Sequence, residues 1–229
     1  MDKGRLIVIE GLDGSGKATQ TGLLCNRLGE EWGKSFHRVS FPDYNDPSSA
    51  LVKLYLGGEL GGLGDISPYG ASLFYTVDRY ASYLRHWGED YRKGLLIVAD
   101  RYATSNVAHQ MSKLPRDQWD GYLAWLEETE YIRVGIPRPG LVVYLDMAPE
   151  TSRQLLSCRY HGDESKKDLH EADLAYLIKC REAALYGAEK LGWTVIRCCD
   201  GKDPFPPGEV AEKVWQAVAP VLAEQTAGQ

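Results

Sequence analysis

Residues 5–21 read Arg-Leu-Ile-Val-Ile-Glu-Gly-Leu-Asp-Gly-Ser-Gly-Lys-Ala-Thr-Gln-Thr: a short apolar run, a glycine-rich turn, then residues suited to a helix. Residues 6–10 fit a strand buried on both faces of a parallel sheet. The pattern G-x-x-x-x-G-K-[ST] is met at Gly11, Gly16 and Lys17, with Ala18 where a hydroxyl is expected. Glycines without Cβ atoms let backbone amides wrap a phosphate, and the positive end of the following helix adds to the attraction. Lys17 can reach the β- and γ-phosphates of a nucleotide. Gly11, Leu12, Asp13, Gly14, Ser15, Gly16, Lys17, Ala18 and Thr19 are therefore expected at a nucleoside triphosphate such as ATP. The bland alternative is a glycine-rich strand-to-helix turn without a ligand.

At 229 residues the chain is expected to form one α/β domain over 1–229. The net charge of −6 argues against a nucleic-acid polymer as partner but leaves room for a small nucleotide. Five cysteines, odd in number and without paired metal-ligand spacing, fit reduced thiols in a cytoplasmic protein. The first strand begins almost at once, which leaves no room for a signal peptide. No apolar run has the length to span a bilayer, so no membrane partner is expected.

Strands are expected over 6–10, 38–41, 95–100, 141–146 and 194–198, and helices over 69–91, 150–158, 171–191 and 209 to about 223. Strands alternating with helices imply a parallel sheet covered on both faces, with ligands at the carboxyl ends of the strands. That rule gathers the 10–17 loop, the segment 41–44, Asp100-Arg101-Tyr102 and Asp146. The polar stretch 160–168 lies between two helices and reads either as a solvated loop or as a lid over the phosphates.

In their order and spacing these motifs resemble the thymidylate kinase family over nearly the whole chain. The loop Glu-Gly-Leu-Asp-Gly-Ser-Gly-Lys, Phe41-Pro42 and Tyr75-Thr-Val-Asp-Arg79 resemble family segments. So do Asp100-Arg101-Tyr102-Ala-Thr-Ser105-Asn106-Val-Ala108-His109-Gln110, Leu145-Asp146, Pro149-Glu150 and Asp168-x-x-Glu171. The resemblance implies a P-loop kinase fold: a five-stranded parallel sheet with helices on both faces and a short lid near 159–168. It also implies transfer of the ATP γ-phosphoryl to dTMP with Mg²⁺, in a homodimer whose interface uses a helix like 69–91.

Each implied role has a physical reading. Arg101 offers a planar fork of donors to an acceptor phosphate, or else a structural ion pair with Asp100 or Asp78. Tyr75 is expected to stack on the base, in preference to Phe74, with Arg79 one turn on reaching a pyrimidine carbonyl. Ser105 and Asn106 supply hydrogen bonds to the base edge, or Ser105 caps the helix starting there. In the family Asp13 contacts the acceptor's sugar hydroxyl and lies near the metal. Asp13, Glu171 and, through water, Asp100 are the expected Mg²⁺ residues.

Departures from the family pattern also carry expectations. No arginine follows Asp13, so the charge that stabilises transfer falls to Lys17, Arg101 and the lid residues Arg159, Lys166 and Lys167, with Arg159 otherwise stacking on adenine. Asp43 and Tyr44 follow Phe41-Pro42 where an arginine often holds the acceptor phosphate, and Tyr44 can still donate there. His109 replaces the tyrosine that packs under the sugar, leaving room for a ribose hydroxyl. Two alternatives stand beside the main reading. One is a kinase for another nucleoside monophosphate or a deoxynucleoside; the other is a nucleotide sensor without turnover, for which Ala18 argues.

Overall fold

The computed structural model describes residues 5–62, 64–159 and 174–227. Five parallel strands, β1 (Arg5–Gly11), β2 (Phe36–Ser40), β3 (Leu96–Asp100), β4 (Leu141–Asp146) and β5 (Thr194–Arg197), lie in the order β2-β3-β1-β4-β5. The expected parallel sheet is present, with strand ends shifted by one or two residues. The second strand starts earlier and stops before Phe41, whose N–H instead donates to the Asp100 carbonyl at 3.0 Å.

The apolar run of β1 is continuous because both its faces are covered. Ile7 and Ile9 pack with Leu24, Leu28, Val214 and Val218 on one side. Leu6 and Val8 pack with Trp87, Tyr102 and Ile136 on the other. The helices are α1 (Lys17–Arg27), α2 (Ala50–Leu56), α3 (Pro68–Ser82), α4 (Gly88–Arg92), α5 (Ser105–His109), α6 (Trp119–Glu127), α7 (Pro149–Arg159), α8 (Leu174–Leu191) and α9 (Pro207–Ala227).

The single helix expected over 69–91 is divided. Ser67 caps α3 by accepting the Gly70 N–H at 3.0 Å, and Pro68 follows it. Beyond Ser82 the turns widen over 83–87 before α4 resumes the regular spacing. Gly88 marks the join: a Cβ there would sit 2.4 Å from the Tyr83 carbonyl oxygen. Helices α2 and α6 were not expected from the sequence, and α5 was expected only as a start at Ser105. The polar stretch 160–168 and the family segment from Asp168 to Glu171 lie outside the described residues.

Strand order reverses at β1, with β3 on one side and β4 on the other. The crevice beyond its carboxyl end is where such sheets bind ligands. A cavity of about 1010 Å³ opens there.

Candidate active site

One end of the cavity is built from the glycine-rich turn. Gly16 sits at φ 87° as the residue before α1, a left-handed conformation that glycine adopts without a Cβ penalty. Gly14 is pressed against α7, where a Cβ would meet the Ser152 carbonyl oxygen at 2.4 Å. Residues 13–20 line the cavity, whereas Gly11 and Leu12 do not. Leu12 supports from beneath: its side chain is buried, and its carbonyl accepts from Lys17 Nζ at 2.7 Å. Lys17 is itself buried and lies 3.5 Å from Asp13 Oδ1. Burial and the nearby Arg101 cation both push the Lys17 ammonium below its ordinary range.

Arg101 follows β3 and stands at φ 67°, the only left-handed non-glycine among the described residues. Its guanidinium pairs with Asp13 through NH2 and meets Ser105 Oγ at 3.3 Å and His109 Nε2 at 3.2 Å through NH1. A guanidinium only donates, so His109 Nε2 accepts there. Ser105 in turn donates to both carboxylate oxygens of Glu10, at 3.0 and 2.9 Å. Glu10 also receives Thr104 Oγ1 at 2.6 Å and the Tyr102 N–H at 3.1 Å. The expected capping role of Ser105 is not realised, since no side chain caps α5. The alternative ion pairs of Arg101 with Asp100 or Asp78 are absent among the described residues, and Asp13 holds that place.

The charges follow from this packing. Burial alone would raise the Asp13 carboxyl, but Arg101 and then Lys17 outweigh it and hold the group well below the usual carboxylate range. For Arg101, burial opposes the cation, yet Asp13, Glu10 and Asp100 together stabilise it. Glu10 goes the other way: burial raises it despite Arg101 and the two hydroxyls.

The other end of the cavity is lined by Phe41, Pro42, Tyr44, Tyr75, Arg79, Asn106, His109 and Gln110. Tyr75 lines it and Phe74 does not. Tyr55 meets Tyr75 edge-on at 6.3 Å and Phe74 at 6.0 Å. Arg79 is 2% exposed and paired with Glu130, with Nε 3.4 Å from Glu130 Oε2. Its NH1 makes no hydrogen bond among the described residues and is the nitrogen left for the cavity. Asp78 ties down the loop after Pro42 by accepting the Asp43 N–H at 3.0 Å and Ser48 Oγ at 2.7 Å. Asn106 Nδ2 and Gln110 Nε2 are buried without hydrogen-bond partners.

A protein-family model described as thymidylate kinase matches residues 9–200. The chain belongs to the thymidylate kinase family. A thymidylate kinase of Mycobacterium tuberculosis is 29% identical over 210 residues, covering 90% of this chain and 95% of that one. One from Caenorhabditis elegans is 31% identical over 160 residues, 66% of this chain and 67% of that one. The solved thymidylate kinase of Candida albicans superposes with a TM-score of 0.69 at 22% identity, over 95% of this chain and 92% of that one. That likeness establishes the P-loop kinase fold.

Within this thymidylate kinase family member, the expected site residues separate clearly. Asp13, Lys17, Arg101, Ser105, Asn106, His109, Tyr75, Arg79, Phe41, Pro42 and Tyr44 share one cavity with Asp100. The Arg159 side chain, Lys166, Lys167 and Glu171 lie outside the described residues. Several residues in or behind the wall escaped the sequence reading. Glu10, an acid closing an apolar strand, was a visible signal for a buried anchor. Gln110 stood in the quoted signature without a role. The β5–α9 connection contributes Cys198, Pro204 and Phe205, and Pro207 at the start of α9 lies beside Gln20, whose Nε2 donates to the Pro207 carbonyl at 2.9 Å; nothing in the composition of this segment announced this.

The fit to Mg²⁺ turns on Asp100. Ala18 offers no hydroxyl, and no group of three or more acidic, His or Cys side chains suited to a metal exists among the described residues. The Asp100 carboxylate lines the cavity without a hydrogen bond or ion pair among the described residues. A hydrated Mg²⁺ that leans mainly on substrate phosphates needs no more than such a carboxylate.

Proposed function

We propose that this chain transfers the γ-phosphoryl group of ATP to dTMP, with donor and acceptor phosphates facing each other across the one cavity. The observation that carries this reading is the Asp13–Arg101 pair, which joins two phosphate-binding devices. The glycine loop, the start of α1 and Lys17 take the donor triphosphate. Arg101, held by Glu10 through Ser105, takes the phosphate of an acceptor that already carries one. A nucleoside acceptor would leave that guanidinium without purpose.

Phosphoryl transfer depends on positioning and on neutralising charge rather than on covalent chemistry. Lys17 and Arg101 supply two fixed cations, one on each side of the transferred group. Tyr75 stacks on the base, while Asn106, Gln110 and the free NH1 of Arg79 offer hydrogen bonds to its edge. His109 and Tyr44 lie at the acceptor end, near the sugar and phosphate. Asp100, with Asp13 beside it, would hold Mg²⁺ through water. When bound, that ion supplies further neutralisation of the phosphate oxygens. Arg159, Lys166, Lys167 and Glu171 remain the proposed lid contributions to catalysis and metal binding.

A homodimer is supported by Leu73, Val77, Tyr80 and Leu84, which are 45%, 49%, 40% and 58% exposed. Their spacing of four, three and four residues forms a stripe along α3 and the turn beyond it, a surface a second copy would cover. A cytoplasmic setting is supported by Cys25, Cys180, Cys198 and Cys199, all free thiols. No described helix is long and apolar enough to cross a membrane.

A coupled assay with ATP, Mg²⁺ and a panel of monophosphates tests the reaction. We expect dTMP to give the highest kcat/KM. An equal or higher value on a ribonucleotide would overturn the acceptor assignment and keep the reaction type, whereas nucleotide binding without turnover on any acceptor would favour a sensor.

A further inference from the structure

The Arg101 guanidinium has three side-chain partners, and one of them is a ring with two chemically distinct ends. Asp13 pairs with NH2, while Ser105 Oγ at 3.3 Å and His109 Nε2 at 3.2 Å both meet NH1. A guanidinium carries donors only, so Nε2 presents its lone pair and carries no proton. The ring proton then belongs on Nδ1, which faces the Cys180 thiol of α8 at 3.9 Å. Sulfur is a weak acceptor, but this one is held in place: Cys180 is fully buried, with Ser112 Oγ at 3.4 Å. Burial pushes the thiol up to about 11, so at neutral pH it is not a thiolate that would draw a second proton onto the ring. Tyr176, one turn earlier on α8, donates its hydroxyl to the His109 carbonyl at 2.9 Å and ties down the backbone that carries the ring.

We propose that His109 is a positioning residue for Arg101: its Nδ1–H tautomer, set from behind by Cys180, turns a lone pair to the guanidinium and aims that fork at the acceptor phosphate. An Nε2–H ring would set donor against donor at NH1, and an imidazolium would add a like charge beside it. The inference rests on the nucleotide kinase reading and deepens it. It gives this histidine work different from that of the family tyrosine it replaces, which packs under the sugar. A line of polar contacts runs from Cys180 through His109 and Arg101 to Asp13, so α8 and the glycine-rich turn hold the same guanidinium by its two terminal nitrogens.

Two measurements without turnover test the proposal. The first is nitrogen NMR of the His109 ring in the ligand-free enzyme at neutral pH, assigned by its loss in His109→Gln; Nδ1 should be protonated and Nε2 bare. The second is equilibrium binding of dTMP and of thymidine, which keeps base and sugar but lacks the phosphate. His109→Phe should lower the dTMP:thymidine affinity ratio about tenfold, with Kd for thymidine changing less. His109→Gln, whose amide oxygen can stand in for Nε2, should keep most of the ratio. Cys180→Val should lower the ratio about threefold, whereas Cys180→Ser retains an acceptor and should leave it near the parent value. Adding Cys180→Val to His109→Phe should cause no further drop.

A ring protonated on Nε2 overturns the proposal. So does a ratio unchanged in folded His109→Phe; if both affinities fell in parallel, the residue would act on the sugar. A parent that binds dTMP no more tightly than thymidine would sink the reading of Arg101 as the acceptor-phosphate residue instead, and the ring nitrogens would still decide the tautomer.

Discussion

The two ends of the cavity are made from different materials. At the proposed acceptor end, the charged side chains are held by others: Glu10 through Ser105 to Arg101, Arg101 to Asp13, Glu130 to Arg79, Asp78 to Ser48. At the proposed donor end the wall is the glycine-rich turn and the start of α1, with apolar residues beyond: Met147, Leu155, Phe205 and Pro207. A backbone cradle recognises any triphosphate, because amide hydrogens read charge and shape and not the base. A cross-braced set of side chains can discriminate, because each donor is fixed before the ligand arrives. On the proposed function, selectivity is therefore expected where the hydrogen-bond network is dense.

Substitutions at each end break this contrast in different ways. The largest effect is expected from Lys17→Ala, which removes the fixed donor-side cation and should lower kcat about a thousandfold or more in a coupled assay. Next is Glu130→Ala, behind the acceptor wall. It leaves the buried Arg79 cation without its partner and should cost about 3–5 kcal/mol in denaturant unfolding. Phe205→Ala, at the apolar donor wall, should raise KM for ATP several-fold and leave KM for dTMP unchanged, since it removes about 1–2 kcal/mol of apolar contact. An equal rise in both constants would show that the two ends are not separable. The smallest change belongs to Ala18→Ser, expected to shift the Mg²⁺ dependence of the rate only modestly because water can supply the missing ligand. Activity appearing only in that variant would mean that the parent is a sensor.

The same contrast governs what could be read from the sequence. The donor loop was legible residue by residue because its chemistry is local: glycines, a lysine and a helix start within seven positions. The sheet was legible because β1, β3 and β4 are apolar on both faces, which leaves an uninterrupted run. Arg79 and Ser105 were found through the family resemblance. Their partners were not, because Glu130 and Glu10 reach them across 51 and 95 positions of chain. No local pattern encodes such a pairing. Helix α5 was legible only as a start at Ser105, because it is five residues long and bears polar residues rather than an amphipathic pattern. The division of 69–91 at Gly88 likewise depends on contact with the Tyr83 carbonyl and not on helix preference.

Arg101 gives one last consequence through its φ of 67°. A side chain in that conformation costs about 1 kcal/mol or more, a burden that glycine does not carry. Arg101→Ala and Arg101→Gly remove the same guanidinium and should be equally inactive on dTMP. Their melting temperatures should nevertheless differ, with the glycine variant the more stable by about 1 kcal/mol. That order reverses the usual ranking of alanine over glycine. It would mark position 101 as a place where the backbone itself favours a residue that cannot do the work.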